Sequence, residues 1–226
     1  MITQNLASTN FNALINTLSI QGYVIFDDFL AANIIVALRE ETDKRYINNE
    51  MAAAKTGLSQ SKLLGQSKPS KIRGDSISWL DEDSENINIQ AYFAQMQALK
   101  TQLNQQLFMN LHSLETHLAI YPIGSIYQKH LDQFSQSLDV NQTIDAKNNP
   151  KARQLSSILY LNADWQVGDG GELRLHLNAL EYIDILPTAG KLVLFLSEKF
   201  WHEVRPATRE RASLTGWFRT RSQSMI

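Results

Sequence analysis

The chain has 226 residues, 43% of them apolar, which is enough to bury a core, with a formal net charge of −2 and a pI near 6.2. The slightly acidic balance excludes a general nucleic-acid binder, which carries a strong basic excess. There is no cysteine, which excludes disulfides and thiolate-based zinc sites.

In chain order, "FNALINTLSIQG" (11–22) reads as an amphipathic helix stopped at Gly22. "YVIFDDFL" from Tyr23 is β-branched and aromatic and reads as a strand. "AANIIVALREETDKRYIN" has apolar Ile34, Ile35 and Leu38 at helical spacing with charges opposite. A loop rich in Ser, Lys and Gly follows, from about Ala54 to Ser70, and "IRGDSISWL" from Ile72 reads as a second strand. "NINIQAYFAQMQALKTQLNQQLF" is a long helix whose Tyr92, Met96, Leu99, Leu103 and Leu107 form one core-facing stripe.

The character changes near residue 114. Short apolar runs alternate with turn signals: "THLAIYP", "SIYQKHLD", "RQLSSILYLN", "GELRLHL", "YIDILP", "KLVLFL", "HEVRPA" and "RASLTGWFRT". That rhythm indicates a sandwich or barrel. The polar stretch Ser135–Ala152 reads as a long connection between two of these strands. The layout is therefore one domain over 1–226, with a helical and edge-strand part to about 113 and a β core over about 114–221. The opening "MITQNLASTN" lacks the charged-then-apolar pattern of a secretory leader, and the longest apolar run, Leu192–Leu196, is too short to span a bilayer. A cytoplasmic location with neither membrane nor nucleic acid as partner is expected.

The β part carries a metal-ligand pattern. His130 and Asp132 stand two apart, which on a strand places them on one face, and His202 opens a later strand. Two imidazoles and one carboxylate with open positions suit a non-haem Fe(II) centre. Arg211 and Ser213 share a face further on. Arginine grips a carboxylate through a planar fork that lysine cannot copy. Tyr160 lies on an apolar strand, so its hydroxyl needs either a polar partner or solvent at the strand end. Arg73 and Asp75, taken by themselves, read as a surface ion pair. His112 and His117 follow a long helix, and His176 shares the outer face of "LRLHL" with Arg174; all three read as surface residues.

H-x-D, a distal His and R-x-S, in that order, resemble the 2-oxoglutarate/Fe(II)-dependent dioxygenases of the prolyl-hydroxylase type. More closely, the chain is similar to the EGL-nine-type hypoxia-inducible-factor prolyl hydroxylases and their bacterial relatives. The likeness also runs through "GYVIFDDFL", "IRGDSISWL", "YPIGSIYQKHLD", "ILYLNADW", "GGELRL", "HEVRPA" and "RASLTGWF", in family order over about residues 20–220.

The resemblance implies a double-stranded β-helix (jelly-roll, cupin-like) barrel supported by N-terminal helices. It implies Fe(II) on His130, Asp132 and His202, and the distal carboxylate of 2-oxoglutarate on Arg211 with Tyr160. Tyr121, Ile158, Leu173, Ser213 and Trp217 would line the cosubstrate pocket. Arg73, Asp75, Trp79 and Tyr127 would meet the substrate. The implied reaction is hydroxylation of a prolyl residue in a protein or peptide, using O2 and releasing succinate and CO2, with ascorbate as a reductant. A translation factor is the first substrate candidate by family analogy. The alternatives are the same chemistry on a free amino acid or other small molecule, and a non-catalytic metal or 2-oxoglutarate sensor. Ser135–Ala152 and the Ala54–Lys71 loop depart from the family pattern where a substrate would be chosen.

Overall fold

In the computed structural model, the residues described are 11–54, 73–133 and 153–221. Residues 55–72 and 134–152, which hold nearly all of the Ser/Lys/Gly loop and the whole polar connection, lie outside them. Three helices come first among the described elements: α1 (Phe11–Gln21), α2 (Ala32–Ile47) and α3 (Ile87–Leu107). Threaded between them are strands β1 (Tyr23–Phe26), β2 (Ala52–Ala53) and β3 (Ser76–Trp79). Then come β4 (Ser113–Tyr121), β5 (Tyr127–His130), β6 (Arg153–Tyr160) and β7 (Leu173–His176). The last four are β8 (Tyr182–Ile185), β9 (Leu192–Leu196), β10 (His202–Val204) and β11 (Arg211–Arg219).

Local chemistry sets the helix ends. α1 stops at Gly22, whose φ of +79° suits glycine and whose N–H bonds the Leu18 carbonyl at 2.8 Å. α3 starts at Asn86, whose side-chain oxygen accepts from the Asn88 and Ile89 N–H groups at 2.9 and 3.4 Å. The expected stripe on α3 packs inward: Tyr92, Met96, Leu99 and Leu103 are buried.

The strands form two antiparallel sheets. The larger has the order β1-β9-β6-β11-β4-β3-β2 and the smaller β5-β10-β7-β8. Alternation along each strand builds two cores. On β9, Leu192 and Leu194 join the helices, while Val193 and Phe195 join Leu173, Leu175 and Ile185 of the smaller sheet. β6 divides likewise, Leu155 and Leu159 outward to the helices and Ile158 and Tyr160 inward. Burial on both faces is why "KLVLFL" reads as an unbroken apolar run. The architecture is the expected jelly roll on N-terminal helices, with one correction: the sheets do not close into a barrel, since no strand among the described residues belongs to both. Truncating a fully buried side chain here, such as Leu214→Ala on β11, costs about 2–5 kcal/mol.

This frame positions the site. β5 and β10 pair so that His130 faces His202 across the smaller sheet. On the larger sheet β11 lies between β4 and β6, which sets Arg211 opposite Tyr121, Ser213 opposite Tyr160, and Trp217 opposite Ser156.

Candidate metal centre and cosubstrate pocket

β5 ends at His130, and Asp132 lies in the bend just beyond it. The expectation of both ligands on one strand is corrected here, although the two side chains still converge. Donor atoms of His130, Asp132 and His202 all lie within 4.8 Å of one another, and all three residues are buried. His130 Nε2 is 3.7 Å from Asp132 Oδ1, and His202 Nε2 is 3.5 Å from Asp132 Oδ2. His130 Nδ1 lies 2.7 Å from the Gln128 carbonyl and His202 Nδ1 lies 3.1 Å from the Phe200 carbonyl. A carbonyl only accepts, so each Nδ1 carries a hydrogen, and each ring turns its Nε2 to the centre. Burial, with His202 beside it, lowers the His130 pKa to about 3, so the ring stays neutral. Burial raises the Asp132 carboxyl, but the two imidazoles, Arg153 and the Ser156 hydroxyl together outweigh it and hold it lowered to about 2. A buried carboxylate and two imidazoles that turn their Nε2 atoms toward it are a donor set that fits a divalent iron.

The pocket beside these ligands is lined by Arg73, Tyr121, Tyr127, Ile158, Leu173 and Val204, and also by Ser156, Arg211, Ser213, Thr215 and Trp217. Arg211 is buried, with its guanidinium over the rings of Tyr121 and Tyr160 at 4.3 and 5.6 Å. Its NH1 donates to the Gly171 carbonyl at 3.3 Å, and its Nε has no hydrogen-bond partner. Among the described residues no carboxylate pairs with it. Gly171 must be glycine on two counts: its φ is +72°, and a Cβ there would sit 3.0 Å from Ala207. The Tyr160 hydroxyl is buried and likewise has no hydrogen-bond partner. Burial pushes its pKa up to about 12, against the pull of Arg211. A buried guanidinium without a carboxylate, beside a buried phenol without a hydrogen-bond partner among the described residues, is costly unless an anion completes both. A dicarboxylate such as 2-oxoglutarate fits that requirement.

The expected substrate residues divide. Tyr127 stacks on His130 with ring centroids 3.7 Å apart, and Arg73 sits over Tyr127 at 4.6 Å. Asp75 grips Arg73 through both oxygens, with Arg73 Nε to Oδ1 at 2.7 Å. The side chains are 12% and 0% exposed, so the reading of a surface ion pair is corrected to a buried one. Burial lowers the Arg73 pKa, but the Asp75 bond and nearby charges reverse that and raise it. Trp79 is 52% exposed and stands outside the pocket, packed on His117.

Of the three histidines set aside, His112 is exposed and His176 is partly buried beside Glu203 at 3.5 Å. His117 is a correction: it is 1% exposed, wedged between Trp79 and Trp217 at 4.8 and 5.6 Å, with neither ring nitrogen bonded. Sequence reasoning also missed Ser156, Ser197 and Thr215. A serine on a strand has no ligand spacing to betray it, and only the partner pairing brings it to the site.

A jelly roll that carries a His-Asp-His centre beside a buried, unpaired arginine defines a non-haem-iron oxygenase type of site. Residues 116–219 match the 2OG-Fe(II) oxygenase superfamily. The chain is 37% identical to a prolyl-4-hydroxylase from Pseudomonas putida, with a TM-score of 0.77 over 94% of this chain and 100% of that one. It shares its fold with a Trichoplax adhaerens prolyl hydroxylase solved with a hypoxia-inducible-factor peptide, at 24% identity, TM-score 0.74, covering 92% and 88% of the two chains. It is 28% identical to human Egl nine homolog 1 over 207 residues, which is 87% of this chain and 43% of the human protein. With the rat and mouse proteins matched over 55% and 46% of their lengths, the chain spans about half the length of these relatives. The chain belongs to the 2OG-Fe(II) oxygenase superfamily and is a bacterial-type relative of the Egl nine branch.

Proposed function

We propose that the protein is a prolyl 4-hydroxylase that acts on a proline within a protein or peptide and uses Fe(II), 2-oxoglutarate and O2. One observation carries the reading: a single pocket is lined both by His130, Asp132 and His202 and by Arg211, whose guanidinium has no carboxylate partner among the described residues. The relatives point to proline, since the Pseudomonas putida protein is a prolyl-4-hydroxylase. The reading takes 1–226 as one catalytic domain.

His130, Asp132 and His202 would hold Fe(II). Arg211 would bind the distal carboxylate of 2-oxoglutarate with Tyr160 as second donor, and Tyr121 would brace the guanidinium from below. Together these cofactors supply oxidative decarboxylation to succinate and CO2 and the insertion of one oxygen atom into a C–H bond. Ile158, Leu173, Val204 and Trp217 keep the pocket apolar, which strengthens the Arg211 ion pair and excludes water. Tyr127 and the Arg73–Asp75 pair stand beside His130, where a peptide would approach. Among the described residues no helix is long and apolar enough to cross a membrane. A cytoplasmic location, ascorbate as reductant and a translation factor as substrate belong to the same reading, on the family resemblance.

The test is a 2-oxoglutarate turnover assay with purified protein, Fe(II) and proline-containing candidate proteins, read as succinate formed and a one-oxygen mass gain on a prolyl residue. Succinate no higher than in Fe(II)-free controls, together with unchanged iron retention in His130→Ala, overturns the proposal. A mass gain confined to a free metabolite overturns the peptide substrate and keeps the chemistry.

A further inference from the structure

We infer that Ser156, backed by Ser197, is a positioning residue that fixes the orientation of the Asp132 carboxylate toward His130 and His202; the inference rests on the metal centre proposed above. Ser156 Oγ lies 2.6 Å from Asp132 Oδ2 and 2.9 Å from Ser197 Oγ, and all three side chains are buried. Hydrogen accounting fixes the direction of this chain. The carboxylate can only accept, so the single Ser156 hydrogen goes to Asp132, and Ser197 must donate to Ser156. The donated bond fixes the rotation of the carboxylate, with Oδ2 3.5 Å from His202 Nε2 and Oδ1 3.7 Å from His130 Nε2.

Ser197 is more than a second hydroxyl. Its carbonyl accepts from the Gln133 N–H at 3.2 Å, and its own N–H donates to the Gln154 carbonyl at 3.1 Å. It follows β9 directly and opens the turn that leads to His202. One residue thus ties together the bend after Asp132, the start of β6 that carries Ser156, and the turn before His202. The three ligands come from two stretches of chain, His130 with Asp132 on one and His202 on the other, and this lock holds the two in register. Partners of a metal-binding carboxylate set both its orientation and its basicity.

The experiment measures Co(II) binding to the metal-free protein by its visible absorption, with circular dichroism as a check on folding. Wild type, Ser156→Ala, Ser156→Thr and Ser197→Ala are compared. Ser156→Ala is expected to weaken Co(II) binding about 10- to 100-fold and to shift the absorption band as the carboxylate changes pose. Ser156→Thr keeps the hydroxyl and is expected to restore both, and Ser197→Ala to weaken binding by less than Ser156→Ala. If Ser156→Ala does not fold, a wild-type band in Ser197→Ala, or a Ser156→Thr protein as weak as an unfolded control, overturns the inference. Wild-type affinity and band in a folded Ser156→Ala protein also overturn it and leave the metal centre standing. A wild-type protein that takes up no Co(II) overturns the metal centre itself.

Discussion

His130 and His202 are cross-strand partners held by the same device: each hangs its Nδ1 on the carbonyl two residues upstream, and the rings lie 4.1 Å apart. The pair is therefore oriented with both Nε2 atoms toward Asp132, which supplies the negative charge. Asp132→Asn retains the shape of that side chain and an oxygen for Ser156, but removes the charge. It is expected to fold with a melting temperature near wild type and to lose its iron on dialysis, as metal analysis will show. Iron retained at wild-type levels contradicts the assignment.

Arg211 makes an opposite prediction for the ligand-free and liganded protein. Its guanidinium is buried without a carboxylate, so Arg211→Met removes as much strain as support from the empty pocket. The ligand-free melting temperature should move by less than about 4 °C, the equivalent of about 1 kcal/mol in a chain of this size. The rise in melting temperature that 2-oxoglutarate gives wild type should vanish, because binding to the native state is the only source of that rise. A variant that keeps the rise shows that Arg211 is not the carboxylate anchor.

Tyr160 tests the other end of that anchor. Its hydroxyl is orphaned, so Tyr160→Phe leaves the ligand-free protein as stable as wild type or slightly more so. The KM for 2-oxoglutarate should rise about 13- to 160-fold, the worth of one hydrogen bond to a charged group at about 1.5–3 kcal/mol. An unchanged KM in a steady-state assay removes Tyr160 from the binding group.

How much of this was legible in the sequence follows strand geometry. Arg211 and Ser213 were readable because β11 pairs regularly there, where parity assigns a face, and His202 was readable as the histidine that opens the next-to-last strand. Asp132 was readable as a ligand but not as a residue beyond the end of β5, because parity says nothing about where a strand stops. His117 was misread as surface because β4 is covered on both sides, by α3 and its neighbours on one face and by aromatic side chains on the other, so a polar residue there has no wet face to occupy. The Arg73–Asp75 pair was misjudged for a related reason: spacing shows that two charges can meet, and only the fold shows that Asp75 is sealed from solvent.

That sealing gives a stability prediction. Asp75→Ala strands the Arg73 guanidinium in a buried place and should cost about 3–5 kcal/mol, measured by urea unfolding. Removing both charges, as Arg73→Met with Asp75→Leu, should recover most of that loss, since the pair is replaced by apolar side chains of similar size. A single-variant cost below about 1 kcal/mol, the level of an exposed pair, contradicts the burial.

His117 predicts how stability depends on acid. Burial, with Arg73 adding to it, lowers its pKa to about 3, while an imidazole in an unfolded chain titrates near 6.5. Below that value the unfolded chain takes up a proton that the folded chain refuses. Its contribution is therefore fully present above about pH 6.5 and is lost as pH falls toward about 3, with a slope of up to about 1.4 kcal/mol per pH unit. His117→Phe keeps an aromatic ring between Trp79 and Trp217 and removes the titration. Unfolding free energies taken from pH 7 to pH 4 should therefore fall less steeply for the variant than for wild type, by close to one proton's worth of slope in the lower half of that range. Parallel profiles for the two proteins would mean that the ring takes up its proton as readily in the native state as in the unfolded chain, against the apolar packing and the unbonded nitrogens.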